Sequence, residues 1–142
     1  MSWQGRGLTK LRTNKYVLDS FAILTLLQQE KGWEYVKELL TKASRGDSEL
    51  HMSIINLAEV KYLIIRRNKD VEQTLAAIEA LPIHFASADE YIQHVVDLKA
   101  NYPVSLADCF AAALAIAHDC QLVTADPEFR KMESILQVYW LR

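Results

Sequence analysis

Short apolar runs alternate along the chain with longer segments whose apolar side chains recur at helical spacing. The first run, Tyr16-Val17-Leu18, has strand-favouring side chains and passes into Asp19-Ser20 and then an apolar stretch, residues 21–27, that reads as a helix. Gly32 interrupts, and Trp33, Val36, Leu39, Leu40 and Ala43 repeat at helical spacing before a loop at residues 44–48. A second strand at residues 50–53 leads into a helix carrying Leu57, Val60 and Ile64, with Arg66 and Arg67 near its exposed end. Residues 69–81 read as another helix with Val71, Leu75 and Ile78 as its stripe, stopped by Pro82. Ile83-His84-Phe85 is a short third strand. Ser87 or Asp89 opens the next helix, with Ile92, Val95 and Val96 inward, and Pro103 breaks it. Ser105 opens an alanine-rich helix to about His118, followed by strand four at residues 121–124 and strand five at residues 135–140.

Strands that alternate with helices from end to end indicate an α/β fold with a parallel sheet covered on both faces, a single three-layer α/β/α domain. The length supports this: 142 residues suffice for one domain with a real core. Hydrophobic residues make up 51% and charged residues 24%, a composition that excludes a disordered chain. No apolar run approaches the roughly 20 residues of a membrane span, and the start lacks the apolar core of a signal peptide, so a cytoplasmic location is expected. Cys109 and Cys120 lack paired metal-ligand spacing and read as reduced thiols. His51, His84, His94 and His118 show no ligand spacing either and read as surface or packing residues.

A net charge of −2 argues against a generally adhesive nucleic-acid binder. Its distribution changes the picture. Arg6, Lys10, Arg12 and Lys15 have no acid among them, so residues 1–14 form a basic arm, read as a flexible leader or as a segment that touches nucleic acid.

Four acids stand where a strand ends or a helix begins: Asp19, Glu59, Asp108 and Asp126. Each has a plain structural reading. Asp19 can start its helix, and Asp126 can cap a helix with Pro127 at its first position. Asn56 with Glu59, and Ser105 with Asp108, have the spacing of capping boxes. Taken jointly, the four belong to the one sheet edge where parallel α/β folds bind ligands. Carboxylates crowded there would repel and hold their protons unless a cation neutralised them. An all-oxygen donor set selects Mg²⁺ or Mn²⁺ over zinc. Setting the four aside leaves 14 acidic against 16 basic residues, a surface not hostile to phosphate.

Tyr16-Val17-Leu18-Asp19-Ser20, Ile55-Asn56-Leu57-Ala58-Glu59-Val60, Ser105-Leu106-Ala107-Asp108-Cys109-Phe110-Ala111-Ala112-Ala113 and Leu122-Val123-Thr124-Ala125-Asp126-Pro127-Glu128-Phe129 together resemble the motifs of PIN-domain proteins. Order and spacing are most similar to the small VapC-type toxins of prokaryotic toxin–antitoxin pairs. The resemblance runs from about Lys15 to Arg142 and leaves the basic arm outside. It implies a PIN-like domain over residues 15–142 with strand order 3-2-1-4-5. It also implies that Asp19, Glu59 and Asp108 are central catalytic and metal-holding acids, with Asp126 a fourth and Ser20 and Thr124 assisting through hydroxyls. Thr124 can equally just end its strand. The implied activity is Mg²⁺- or Mn²⁺-dependent hydrolysis of RNA phosphodiesters, with single-stranded DNA open on mechanism. Implied partners are RNA, a cognate antitoxin and a second copy of the chain, which the apolar residues 21–24 with Trp33 and Tyr35 would suit, though core is their commoner use. Arg66, Arg67 and Lys69, or Arg130 and Lys131, are candidate contacts to the nucleic-acid backbone, against the plainer reading of solvated helix ends.

Three other classes compete. The same fold could bind RNA or metal without turnover. An aspartyl-phosphate phosphotransferase also uses an Asp after strand one, but the haloacid dehalogenase-like pattern wants a second Asp where Phe21 stands. A purely structural partner would leave all four acids capping helices.

Overall fold

The computed structural model describes residues 14–67 and 71–142. The segments bearing Arg6, Lys10 and Arg12, and Lys69 with the start of its expected helix, lie outside the described residues. Among the described residues, five strands form one parallel sheet: β1 (Lys15–Leu18), β2 (Glu49–Ser53), β3 (His84–Ala86), β4 (Gln121–Thr124) and β5 (Val138–Trp140). Their order is 3-2-1-4-5, as the resemblance implies. The connections are helical: α1 (Ser20–Gln28), α2 (Trp33–Ser44), α3 (Ile54–Arg67), α4 (Val71–Glu79), α5 (Ile92–Asn101) and α6 (Leu106–His118). Single 3-10 turns, Asp89–Tyr91 and Pro127–Met132, precede α5 and follow β4.

The pleat sends neighbouring residues to opposite faces, and the sheet therefore builds two cores. Val17 and Leu122 pack with α5 and α6 on one face, and Leu18, Met52 and Val123 with α1 to α4 on the other. Helix α6 is buried from Asp108 to Ala115, as an all-apolar helix must be. Its run of alanines lets the backbone lie close against the strands. Truncating a fully buried side chain such as Leu18 or Leu114 should cost about 2–5 kcal/mol.

Helix α2 starts at Gly32, whose φ of 98° favours glycine. A Cβ there would also lie 2.6 Å from the Leu141 carbonyl oxygen, so a side chain cannot be accommodated. The chain's last residues are tied to the same corner. Tyr139 stacks on Tyr35 at 3.9 Å, and Arg142 donates to Thr25, the Lys31 carbonyl and Glu30.

Two sequence readings need correction. In α5, Val95 is buried, but Ile92 and Val96 are 49% and 53% exposed. The inward stripe is instead Tyr91, Val95, Leu98 and Tyr102, where aromatic and aliphatic bodies pack on the α6 face. Strand β5 is also shorter than expected. Residues 133–135 turn out of the 3-10 segment, and only Val138–Trp140 pair with β4. Of the apolar residues 21–24, Ala22, Ile23 and Leu24 go to the core and Phe21 stays 38% exposed.

At the amino ends of the strands, His51 and His84 are register neighbours on β2 and β3 and stack at 5.1 Å. His118, at the end of α6, stacks on His51 at 4.2 Å. Three of the four histidines thus pack on one another, while His94 is exposed. Glu49 accepts from His51 Nε2 at 2.6 Å and pairs with Lys15 at 3.2 Å. His51 is nine-tenths buried, and this desolvation lowers its pKa and favours neutral imidazole. Its hydrogen bond lowers Glu49 to about 2, consistent with a neutral ring donating to an ionised carboxylate.

Candidate active site

At the opposite, carboxyl edge the four acids come from four separate elements. Strands β1 and β4 are neighbours, so Asp19 follows β1 directly beside Thr124 at the end of β4. Asp19 is 1% exposed and uses its two oxygens differently. Oδ1 accepts from the Ala22 N–H at 2.9 Å and caps α1, while Oδ2 accepts from the Thr124 hydroxyl at 2.5 Å. Thr124 Oγ1 in turn accepts from the Asp126 N–H at 2.9 Å. Asp126 caps the following 3-10 turn through Oδ1, which takes the Glu128 N–H at 3.0 Å. On α6, Ser105 Oγ accepts from the Asp108 N–H at 3.1 Å, half of the expected capping box.

Capping and convergence therefore coexist, because a carboxylate has an oxygen for each. Burial is the main reason Asp19 holds its proton up to about 8; Asp108 and Asp126 push the same way, against hydrogen bonds from Thr124 and Ala22. Asp108 is raised to about 7, again first by burial, then by the charge of Asp126, with Glu59 adding to it. These carboxyls crowd one another in a site removed from water.

Glu59 reaches the group from α3. Ser20, the first residue of α1, donates its hydroxyl to the Glu59 carboxylate. The expected Asn56–Glu59 capping box is not what forms. Asn56 lies inside α3, and the cap falls to Ser53, whose Oγ accepts from the Ile55 N–H at 3.2 Å. The Asn56 side chain instead crosses to Ser20 and to the Ala107 carbonyl. Its local spacing with Glu59 concealed this. The signal that could have revealed it is that Asn56 shares a buried helical stripe with Val60 and Ile64.

The donors are all hard oxygens, which suits Mg²⁺ or Mn²⁺. Among the described residues no three His, Cys, Asp or Glu side chains are already drawn together as a closed ligand set.

The basic candidates lie apart from the acids' hydrogen bonds. Arg66 and Arg67 are exposed at the end of α3. Arg130, beyond Asp126, is exposed, stacked over Trp140 at 4.3 Å and paired with Glu133 at 3.4 Å. Lys131 is engaged by Glu128 and the Pro103 carbonyl.

A doubly wound parallel sheet with an acidic crevice at the point where strand order reverses defines the class of the fold. The family model for the PIN domain matches residues 16–135, and the chain belongs to that family. No curated protein matches the chain significantly. Solved structures share the fold. VapBC-1 from nontypeable Haemophilus influenzae is 24% identical with a TM-score of 0.64, covering 89% of this chain and 98% of its own. A toxin–antitoxin complex from Klebsiella pneumoniae is 16% identical with a TM-score of 0.69, at 89% and 98% coverage. VapBC2 from Rickettsia felis, bound to a promoter DNA fragment, is 21% identical with a TM-score of 0.63, at 88% and 97% coverage.

Proposed function

We propose that the chain is a Mg²⁺- or Mn²⁺-dependent endoribonuclease, the toxin of a VapBC-type pair. The observation that carries this is the crowding of Asp19, Glu59, Asp108 and Asp126 at one sheet edge, with two of them holding protons far above the usual carboxylate range. PIN domains are generally nucleases, and structures sharing this fold are toxin–antitoxin complexes. Asp19 and Asp108 are assigned as principal holders of the cation, with Asp126 and Glu59 completing its surroundings. A cation there would supply an activated water and charge stabilisation at the phosphate.

The chain's own residues have narrower tasks. Thr124 fixes one oxygen of Asp19, so the carboxylate is aimed before metal arrives. Ser20 does the same for Glu59. Burial of the acids excludes bulk water and strengthens every charge interaction in the crevice. Arg66, Arg67 and Arg130 would contact phosphates outside it, as Lys69 would from outside the described residues.

An open groove of about 460 Å³ between α1, α3 and α4, lined by Leu24, Leu27, Leu63 and Ile64 and equally by Gln28, Arg67, Gln73 and Thr74, offers a mixed apolar and polar surface to an antitoxin. A homodimer and a cytoplasmic location complete the reading; no single helix among the described residues is long and apolar enough to cross a membrane. The test is incubation of the purified protein with structured and unstructured RNA, and with single-stranded DNA, in Mg²⁺, in Mn²⁺ and in chelator. Cleavage of RNA confined to the metal-containing reactions supports the nuclease. Saturable metal or RNA binding with no cleavage would make the chain a binding module of the same fold.

A further inference from the structure

Asn56 is a polar amide in a core position. It is 1% exposed and lies on the face of α3 that also buries Leu57, Val60 and Ile64. Its Nδ2 donates to the Ser20 hydroxyl oxygen at 3.4 Å and to the Ala107 carbonyl at 3.2 Å. These two bonds reach the start of α1, one residue after Asp19, and the first turn of α6, one residue before Asp108. Asn56 itself belongs to the helix that carries Glu59. One side chain thus joins three of the elements from which the acids come.

The amide's orientation is set by its donors. Reversed, it would turn an oxygen toward the Ala107 carbonyl and lose that bond. As placed, its Oδ1 is buried with no partner among the described residues. An unmet buried acceptor is costly, and an apolar side chain of similar size would avoid it while filling the same space. Structure alone gives no reason to keep the amide there. Its effect on Ser20 does. The Ser20 oxygen accepts from Asn56, and the one hydroxyl proton goes to Glu59. The same hydroxyl has a competing acceptor, the Asn56 main-chain carbonyl at 3.3 Å. The amide occupies the hydroxyl oxygen's acceptor side and so adds to the Glu59 carboxylate in directing the proton away from that carbonyl.

We propose that Asn56 is a positioning residue for the metal centre, acting through Ser20 on Glu59 and through Ala107 on the turn that carries Asp108. This rests on the metal-dependent reading above. It names a residue that touches neither the cation nor the substrate.

The test is direct binding of MnCl2 by isothermal titration to the full chain, with thermal midpoints recorded in chelator. The variants are Asn56→Ala, Ser20→Ala and the double variant, with Asn56→Leu as the space-filling alternative should alanine fail to fold. Each single variant should weaken Mn²⁺ binding by about tenfold, the size of effect typical of groups that orient metal ligands. The double variant should be weaker by about the same factor and not by the product, because both changes break one relay. Equal affinity in wild type and Asn56 variants would overturn the proposal, as would fully additive losses. Wild-type protein that binds no Mn²⁺ would overturn the metal-dependent reading and this proposal with it. Binding by wild type with no weakening in any variant would overturn the proposal alone.

Discussion

The two edges of the sheet each carry a cluster of titratable groups around a buried member, His51 at one and Asp19 at the other, yet they resolve their charges in opposite ways. At the amino edge Glu49 has both Lys15 and His51 as partners, and His84 and His118 stack on a neutral His51. There the Glu49 carboxylate is held ionised by hydrogen bonds from both partners. At the carboxyl edge burial, and then the charge of neighbouring carboxylates, raises Asp19 and Asp108, and the hydrogen bonds that Asp19 accepts from Thr124 and Ala22 only partly compensate. A cluster that satisfies itself belongs to the architecture; a cluster that needs something from outside is where a ligand should be sought.

The largest effect should come from removing the unresolved charge. Asp19→Asn or Asp108→Asn should lower RNA cleavage by at least about 100-fold, the scale of losing one preorganised electrostatic group. Circular dichroism should stay unchanged, and midpoints in chelator should be equal to or above wild type, since repulsion is relieved. His51→Phe should leave cleavage intact. Full metal-dependent activity in either Asp variant would remove the distinction between the edges.

Next in size is the pH dependence of stability. Asp19 and Asp108 bind protons more tightly folded, at about 8 and about 7, than an ordinary aspartate does at 3.8. Their contribution is therefore complete below that unfolded value and is lost as pH rises through 7 and then 8. The metal-free thermal midpoint should fall across that range. Added Mg²⁺ should recover it at the alkaline end and do little near pH 5.

The amino edge should show the reverse sign. His51 binds protons less tightly folded than an ordinary histidine does at 6.5, so its contribution is present above that value and fades as pH falls below it. His51→Phe, which can stack but not titrate, should flatten that acid-side decline. Unfolding curves of the two proteins at several pH values read this directly.

The smallest effects concern phosphate contacts. Arg66→Ala and Arg130→Ala should raise KM with kcat retained, and each should reduce the salt slope of RNA binding by about 1. An unchanged slope would mean these are solvated helix ends.

Much of this contrast was legible before any coordinates. Strands β1, β2 and β4 announce themselves as short apolar runs closed by Asp, Ser or Thr, with Asp19 and Asp126 at two of those closures and Glu59 and Asp108 near helix starts. What could not be read required partners distant in sequence. His51, His84 and His118 meet only through β2–β3 register and the end of α6. Asn56 matched a capping box because its true partners lie 36 and 51 residues away. Ile92 and Val96 misled because Tyr91 and Tyr102, half-polar and easily discounted, take the inward places instead.

The most direct measurement of whether the crowded carboxyls share a cation is proton release on Mg²⁺ binding near pH 7, titrated in buffers of differing ionisation heat. Acids held protonated by burial and by neighbouring carboxylates must give up protons to a metal. Release of about one proton or more by wild type, reduced in Asp19→Asn, is the expected result. Saturable binding with no proton release, or the same release from both proteins, would contradict it.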